Sequence, residues 1–355
     1  MSAFRPIPKL ISIAQFQSVG FYDFYKAKAC VFKGARKNIQ LTGSLPPTPT
    51  TPQVLVGLFY HDMMESIGAV STVSDFSKTI ESLILNYAER ARKVPALKRA
   101  GNFANWPEVN FASRKAIDAF KRKKLPSNDL RQSEKMLVSS CGSFVGKPDL
   151  VLVQERSAQL IEFKSNDIRN EKGDLKPEYH EQLLFYSFLL FQNYALDRVE
   201  ASIESMSNDR IDFEISSVDS SDYYVSARSW LADANSLVTA FGANPNLDSI
   251  SSPSENNCWS CEKRLLCQPF KAHQTAMQIN DNVFVIEGKV IAKDTKAPNL
   301  DTVVVDDFNL KRDIRVKCEK LLSNQIHMNS SYTFTNLKRT TLGFETTSTT
   351  EVFVE

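Results

Sequence analysis

The spacing of apolar and polar positions changes character several times along the chain. Leu150-Val151-Leu152-Val153 and Gln159-Leu160-Ile161 are short apolar runs separated by Glu155-Arg156-Ser157-Ala158, the pattern of two β-strands joined by a turn. The segment from Glu178 to Tyr194 is too long and too evenly apolar for a strand and reads as a buried helix. Another helical stretch begins near Leu55, after a Pro/Thr-rich segment at 41–53 that reads as a stiff, extended linker. Residues 70–134 read as a basic helical insertion carrying Arg90, Arg92, Lys93, Arg114, Lys115, Lys121, Arg122, Lys123 and Lys124. From Asn282 the period falls to two. Val283–Ile286, Gly288–Ile291, Thr302–Val305, Ile314–Val316, Tyr332–Thr335 and Val352–Val354 are short runs between Asp, Asn, Gly, Pro and Lys clusters, which predicts a small β-barrel at 280–355.

Composition narrows this picture only a little. A chain of 355 residues can hold two or three domains with a sizeable core. Its net charge of +2 excludes bulk electrostatic attraction as a binding mode but leaves room for a local basic groove. No apolar run approaches the roughly 20 residues of a membrane helix, and the longest, Leu183–Phe191, is about half that. Met1–Gly20 carries no signal-peptide pattern, so a soluble, cytoplasmic protein with no membrane partner is expected.

The chemistry gathers at the ends of the predicted strands. Gly146-Lys147-Pro148-Asp149 leads into the first, Glu162-Phe163-Lys164 closes the second, and Glu162 follows Asp149 by thirteen residues. Alternation places Glu162 and Lys164 on one face and turns Phe163 into the core. Two carboxylates at one sheet end can share a divalent metal, with the Phe163 carbonyl as a further ligand and Lys164 orienting or activating water against a phosphate. Taken alone, the same spacing also fits an exposed hairpin with a surface salt bridge. Gln182 and Tyr186 lie four apart on one helix face and need hydrogen-bond partners, which that sheet end can supply. The bland alternative is a helix-entry Gln in water and a core Tyr. His61 and Glu65 share a face in the same way: His61 can complete a metal site with Asp149 and Glu162, Glu65 steadying its ring. A surface or core histidine is the alternative.

Cys258, Cys261 and Cys267 form C-x₂-C-x₅-C, three of the six cysteines within ten residues. In a reducing compartment such clustering points to metal or cluster ligation rather than disulfides. Cys30, or else Cys141, offers the fourth thiolate. Four cysteines suit zinc or a [4Fe–4S] cluster, and spacing does not choose between them.

Taken in order, these elements resemble the RecB-like branch of the PD-(D/E)xK nucleases and, within it, the iron–sulfur members: the CRISPR-adaptation exonucleases, the AddB nuclease domain and the Okazaki-flap nuclease-helicase. The family order is an N-terminal Cys, an H-x₃-E helix, G-x-x-D, E-x-K, Q-x₃-Y and C-x₂-C-x₅-C. Here it is met by Cys30, His61 with Glu65, Gly146 with Asp149, Glu162 with Lys164, Gln182 with Tyr186, and Cys258, Cys261 and Cys267. The Pro-Arg pair common after the first cysteine is missing. The resemblance implies a restriction-endonuclease-like α/β fold, a mixed sheet flanked by helices, over residues 1–275. His61, Asp149, Glu162 and the Phe163 carbonyl would hold one or two Mg²⁺ or Mn²⁺ ions. Lys164 would position the attacking water, and Gln182 and Tyr186 would support the site and contact DNA. Glu134 matches a further acidic position of some members. Cys30, Cys258, Cys261 and Cys267 would hold a [4Fe–4S] cluster that joins the two sequence ends of the fold.

The C-terminal runs are similar to an OB-fold. On that reading Lys311, Arg312, Arg315, Lys338 and Arg339 with Phe308, Phe334 and Phe344 offer charge and stacking for single-stranded nucleic acid, against a structural or protein-docking barrel. The basic helical insertion is either a solvated face or a phosphate-contacting clamp, and Cys318 reads as a plain buried residue. Three functions follow. The first is a metal-dependent DNA nuclease, exonuclease or flap-type, on single strands or ends, in repair, recombination or antiphage defence. The second is a non-catalytic nucleic-acid-binding scaffold activated by a partner such as a helicase, since the chain has no Gly-rich phosphate cradle of its own. The third is a zinc-binding barrel protein in which the nuclease motifs are coincidental.

Overall fold

The computed structural model describes the chain except residues 1–4, 36, 46–50, 68–69, 71, 95–96, 98–100, 123–129, 134, 208, 259–260, 275, 278–283, 296–299, 342, 348–349 and 355; at 122, 130–133 and 321 it describes the backbone alone. Glu134, Lys123 and Lys124, and much of the 41–53 linker therefore lie outside the described residues. The chain divides into two units, Gln17–Phe21 with Thr50–Leu231, and Met1–Phe16 with Tyr22–Pro49 and Ala232–Glu355.

The first unit opens with α1 (Pro52–Ser66), whose start is set by local chemistry. Pro52 takes the first helical position, where no N–H is needed, and the Thr51 hydroxyl accepts the Val54 N–H at 3.3 Å. Such a cap contributes about 1 kcal/mol. α2 (Val73–Lys93) and α3 (Pro107–Arg122) follow, so the 70–134 stretch holds the expected helices, but its end departs from that reading: Leu130–Ser133 is a strand. Only the outer faces of the helices are basic. Phe76, Ile80, Tyr87, Val109, Ala112 and Ala116 are buried in one core with Phe59 and Met63 of α1. Phe59 meets Tyr87 and Phe103 edge-on at 5.5 Å, a geometry that adds roughly 0.5–1.5 kcal/mol per pair beyond burial.

That helical core packs on a five-stranded sheet built from β1 (Leu130–Ser133), β2 (Leu150–Gln154), β3 (Ser157–Lys164), β4 (Arg198–Ser205) and β5 (Arg210–Ser216), in the order β5-β4-β3-β2-β1. β2 and β3 form the expected hairpin, with Leu150 opposite Ile161; β3 ends at Lys164 as expected but starts two residues before the expected run. β3 and β4 are parallel, so the chain must cross over between them, and α4 (Pro177–Asn193) makes that crossover. Leu150, Leu152, Ile161 and Phe163 join the α1–α3 core on one face. Alternation then turns Glu162 and Lys164 to the face where Gln182 of α4 reaches Glu162. This mixed sheet with helices on both faces is the expected fold class. The chain leaves the unit within α5 (Ser217–Ala243).

In the second unit Leu10–Ile13 pairs antiparallel with Ile39–Leu41, and the short helix Val31–Gly34 packs so closely that a Cβ on Gly34 would sit 2.1 Å from that of Ala27. Its C-terminal part contains β6 (Phe284–Asp294), β7 (Leu300–Asp307), β8 (Arg312–Glu319), α6 (Lys320–Ser323), β9 (Ser331–Thr340), β10 (Gly343–Glu345) and β11 (Glu351–Val354). Pairing runs β6-β7-β8-β10-β9 and returns to β6, a closed five-stranded barrel, with β11 added on β9 and Arg5–Pro6 on β11. Two sequence runs around Gly288 merge into the single strand β6. Gly288 is no turn: a Cβ there would meet the Asp306 carbonyl oxygen of β7 at 2.0 Å. Phe334 and Phe344, offered above as stacking surfaces, are core residues; only Phe308 of the three is exposed. Cys318 is fully buried, as expected.

Candidate active site

The β2–β3 hairpin brings the acidic residues together without any long-range help. Because Leu150 pairs with Ile161, the residues just outside that pair, Asp149 and Glu162, face each other. The Asp149 N–H donates to Glu162 Oε1 at 3.1 Å, and the Phe163 N–H donates to Asp149 Oδ2 at 2.8 Å. Each carboxylate is thus gripped by the backbone next to the other. Lys164 Nζ donates to Glu162 Oε2 at 3.3 Å, and Gln182 Nε2 donates to the same oxygen at 2.8 Å. Glu162, Lys164 and Gln182 are all buried.

Tertiary packing adds His61. Its Nδ1 lies 3.5 Å from Asp149 Oδ2. α1 can come this close because Gly57, one turn earlier, has no side chain; a Cβ there would meet Ser165 Oγ at 2.8 Å. Glu65 is exposed and does not touch the imidazole, which Asp149 holds instead. The neighbouring Asp62 accepts from the Tyr87 hydroxyl at 2.7 Å, which ties α1 to α2. Tyr186 lies against Gly146, where a Cβ would meet its ring at 2.8 Å, and tilts against Phe21 at 6.4 Å. It thus packs against the segment leading into Asp149, whereas Gln182 touches the Glu162 carboxylate itself.

The electrostatics follow from burial and proximity. Glu162 is pushed up to about 8, first by burial and then by the Asp149 charge. Burial would also raise Asp149, but the His61 hydrogen bond, the charges of His61 and Lys164, and the Phe163 N–H together hold it below its ordinary value. Burial lowers His61, yet the hydrogen bond and charge of Asp149 outweigh it and raise the imidazole. A positive charge near both carboxylates would offset the repulsion by which Asp149 raises Glu162.

Among the described residues no three His, Cys, Asp or Glu side chains are drawn together as a closed metal cage. The donor chemistry nevertheless fits a hard divalent cation: carboxylate oxygens, one imidazole and a carbonyl. Among the described residues the buried Gln182 Oε1 has no hydrogen-bond partner, an acceptor that a hydrated cation held here would suit.

The cysteine set lies in the other unit. Cys30, Cys258, Cys261 and Cys267 are buried and free. Cys30 Sγ accepts the Ser252 N–H at 3.4 Å. Burial raises all three C-terminal thiols, to about 11 for Cys258 and about 12 for Cys267, and each also feels the Cys30 charge. The four sulfurs are therefore electrostatic neighbours. Beside them Lys263 and Arg264 are buried, and in both the charge of Cys261 leads the influences opposing desolvation. Burial lowers both Lys263 and Arg264, and among the described residues the four sulfurs are not drawn together as a metal-holding group. Cys141 is not one of the group: it is exposed beside Ser139 and Tyr224.

Sequence reasoning missed Gly57 and the Asp62–Tyr87 bond, for which the chain offers no local signal. It also passed over Tyr179, whose ring lies 5.3 Å from Lys164 Nζ; its signal was an i, i+3 spacing from Gln182.

The profile of the PD-(D/E)XK nuclease superfamily matches residues 29–268, a span that opens one residue before Cys30 and closes one after Cys267. Among solved structures the chain is similar to an alkaline exonuclease (LHK-Exo) from Laribacter hongkongensis, at 11% identity over 51% of this chain and 90% of that one, TM-score 0.25. It is also similar to the protein SSO0001, at 13% identity over 59% of this chain and 94% of that one, TM-score 0.27. No curated protein matches.

Proposed function

The chain belongs to the PD-(D/E)XK nuclease superfamily, and from that premise we propose that it is a metal-dependent deoxyribonuclease acting on single-stranded DNA or DNA ends, as an exonuclease or flap-type enzyme. The observation that carries the reading is the meeting of Asp149, Glu162, Lys164, Gln182 and His61 at one sheet end. His61, Asp149, Glu162 and the Phe163 carbonyl would hold Mg²⁺ or Mn²⁺. Once bound, such an ion supplies Lewis acidity towards a phosphate oxygen and water. Lys164 orients the attacking water and offsets charge developing on the phosphate. Gln182 fixes Glu162 Oε2 and leaves its own Oε1 to accept from that water. Burial and the Asp149 charge push Glu162 up to about 8, and it would have to be ionised to serve as a ligand, so metal affinity would rise with pH.

Cys30, Cys258, Cys261 and Cys267 would hold a [4Fe–4S] cluster, with Zn²⁺ as the alternative. The superfamily span, bounded by the first and last of these cysteines, supports counting them with the nuclease region. We assign the barrel an OB-like fold: its strands close in the order first, second, third, fifth, fourth, with a short helix after the third. Repair, recombination and antiphage defence, in the cytoplasm, are the settings this chemistry suits. Among the described residues no helix is long and apolar enough to cross a membrane.

The second reading is a non-catalytic subunit completed by a partner, such as a helicase. It is favoured by the carboxylates being tied to backbone N–H groups rather than opened around a common point. The test is degradation of end-labelled single- and double-stranded DNA with Mn²⁺ or Mg²⁺, using anaerobically purified wild type beside Lys164→Ala. Cleavage that drops about a thousandfold in the variant, with DNA binding kept, is expected. Binding without cleavage by wild type would transfer the case to the partner-activated reading.

A further inference from the structure

We infer that Tyr179 is a positioning residue for Lys164, its ring and Glu162 together fixing where the lysine's ammonium stands; the inference rests on the nuclease reading above. Lys164 is buried, and its bond to Glu162 Oε2 is 3.3 Å long. A well-formed ammonium–carboxylate bond is about 2.7–2.9 Å, so Glu162 holds the ammonium loosely. The Tyr179 ring centroid lies 5.3 Å from the same Nζ, within the range where a ring's negative face attracts a cation. A second ammonium, Lys176 Nζ, lies 5.9 Å from the same ring and donates to the Asp167 carbonyl at 2.6 Å. The same ring thus lies within reach of both ammonium groups.

The backbone holds the ring there. Tyr179 sits in the first turn of α4, three residues before Gln182, so both occupy one face of the helix. One residue grips Glu162 and the other faces Lys164. The loop from Ser165 to Lys176, which joins β3 to α4, is braced at several points. Arg169 pairs with both oxygens of Asp209 at 2.7 and 3.1 Å, and Asn170 Oδ1 accepts the N–H groups of Lys172 and Asp174 at 2.9 and 3.0 Å. Lys176 N–H bonds the Ile168 carbonyl at 3.0 Å, and Tyr179 N–H bonds the Lys176 carbonyl at 3.0 Å. A helix start fixed this firmly presents its ring at a set distance from the strand end.

The experiment compares wild type, Tyr179→Phe and Tyr179→Leu in the full chain. One readout is the rate at which acetic anhydride acetylates Lys164, followed by mass spectrometry against Lys135 as internal reference. The other is kcat and KM for cleavage of single-stranded DNA with Mn²⁺. Tyr179→Leu is expected to speed Lys164 acetylation about tenfold and to lower kcat about tenfold, with KM changed by less than about twofold. Tyr179→Phe keeps the ring and should match wild type in both. Equal impairment of the Phe and Leu variants would assign the effect to the hydroxyl and overturn the inference. Unchanged Lys164 acetylation in Tyr179→Leu would overturn it as well. If wild type itself cut no DNA, the nuclease reading would fall, while the acetylation rates would still decide whether Tyr179 holds Lys164.

Discussion

The carboxylate end of the β2–β3 hairpin and the cysteine group in the other unit are both buried sets of metal-type donors, and they are held with different strength. Asp149 and Glu162 are neighbours in a strand ladder, and each accepts a backbone N–H from the other's strand. Oxygen donors taken out of water need such partners, since an unpaired buried carboxylate is costly. The cysteines come from distant parts of the chain and sit on short helices and turns. Their sulfurs have backbone hydrogen bonds too, Cys30 with Ser252 and the other three with Ser254, Lys263 and Phe270, but sulfur is a weak hydrogen-bonding atom and these hold it less firmly. The carboxylate site is therefore held by charge-assisted bonds within one strand ladder, and the cysteine group by burial and weaker sulfur bonds between distant segments.

That contrast can be broken most directly at the cysteines. Cys267→Ser is expected to remove the iron or zinc of anaerobically purified protein and to lower Tm by roughly 5–10 °C. Metal analysis and a melting curve check it, and a wild type that carries neither metal would end the contrast. By the same logic Glu162→Gln should leave the melting temperature of the metal-free protein nearly unchanged near pH 4.5, at the foot of the window in which Glu162 loses its proton in the unfolded chain, although it abolishes cleavage.

A smaller, pH-dependent effect belongs to the carboxylates. Glu162 has a folded-state value of about 8 against an ordinary 4.5. A group raised in this way stabilises fully below its unfolded value and loses that contribution as pH rises through the folded one. The metal-free protein should thus lose stability between about pH 5 and pH 8 relative to Glu162→Gln. Over the same window Mn²⁺ should bind more tightly, because there is less proton to displace. Melting curves with and without Mn²⁺ at pH 6, 7 and 8 measure both trends. A Mn²⁺-dependent gain that is flat with pH would show that Glu162 is not the group being titrated. Asp149, held below its ordinary value, acts only in stronger acid and leaves this window alone.

The smallest effect probes how His61 is delivered. In Gly57→Ala the new methyl meets Ser165 Oγ, the end of a short side chain that can turn away. A cost of about 1 kcal/mol and a threefold to tenfold fall in Mn²⁺-dependent cleavage are expected. Adding Ser165→Ala should recover most of the loss. No recovery would mean that α1 approaches the strand end by some other constraint.

Legibility differed between the same two regions. Asp149, Glu162, Lys164 and the inward Phe163 could be read from a single hairpin, because period-two alternation and a short turn fix their relation within sixteen residues. Gln182 was readable as a residue needing a partner, but not which partner. The barrel could be read as strands, whereas Gly288 suggested a break where the chain runs straight past β7. Phe334 and Phe344 looked like stacking surfaces because an alternating pattern does not tell the inside of a barrel from the outside when both carry apolar residues.

By itself the sequence determined the donor residues and their order, the strands and helices that carry them, and the superfamily pattern they compose. These follow from local rules: alternation, helix periodicity, caps and the chemistry of each side chain. Only the tertiary structure decided that Asp149 rather than Glu65 holds His61, that Gln182 grips Glu162 while Tyr186 lies against Gly146, that Tyr179 faces Lys164, and that five strands close into a ring. Such contacts join residues far apart along the chain. They form because the whole core packs at one density around them, and no stretch of neighbouring residues carries that information.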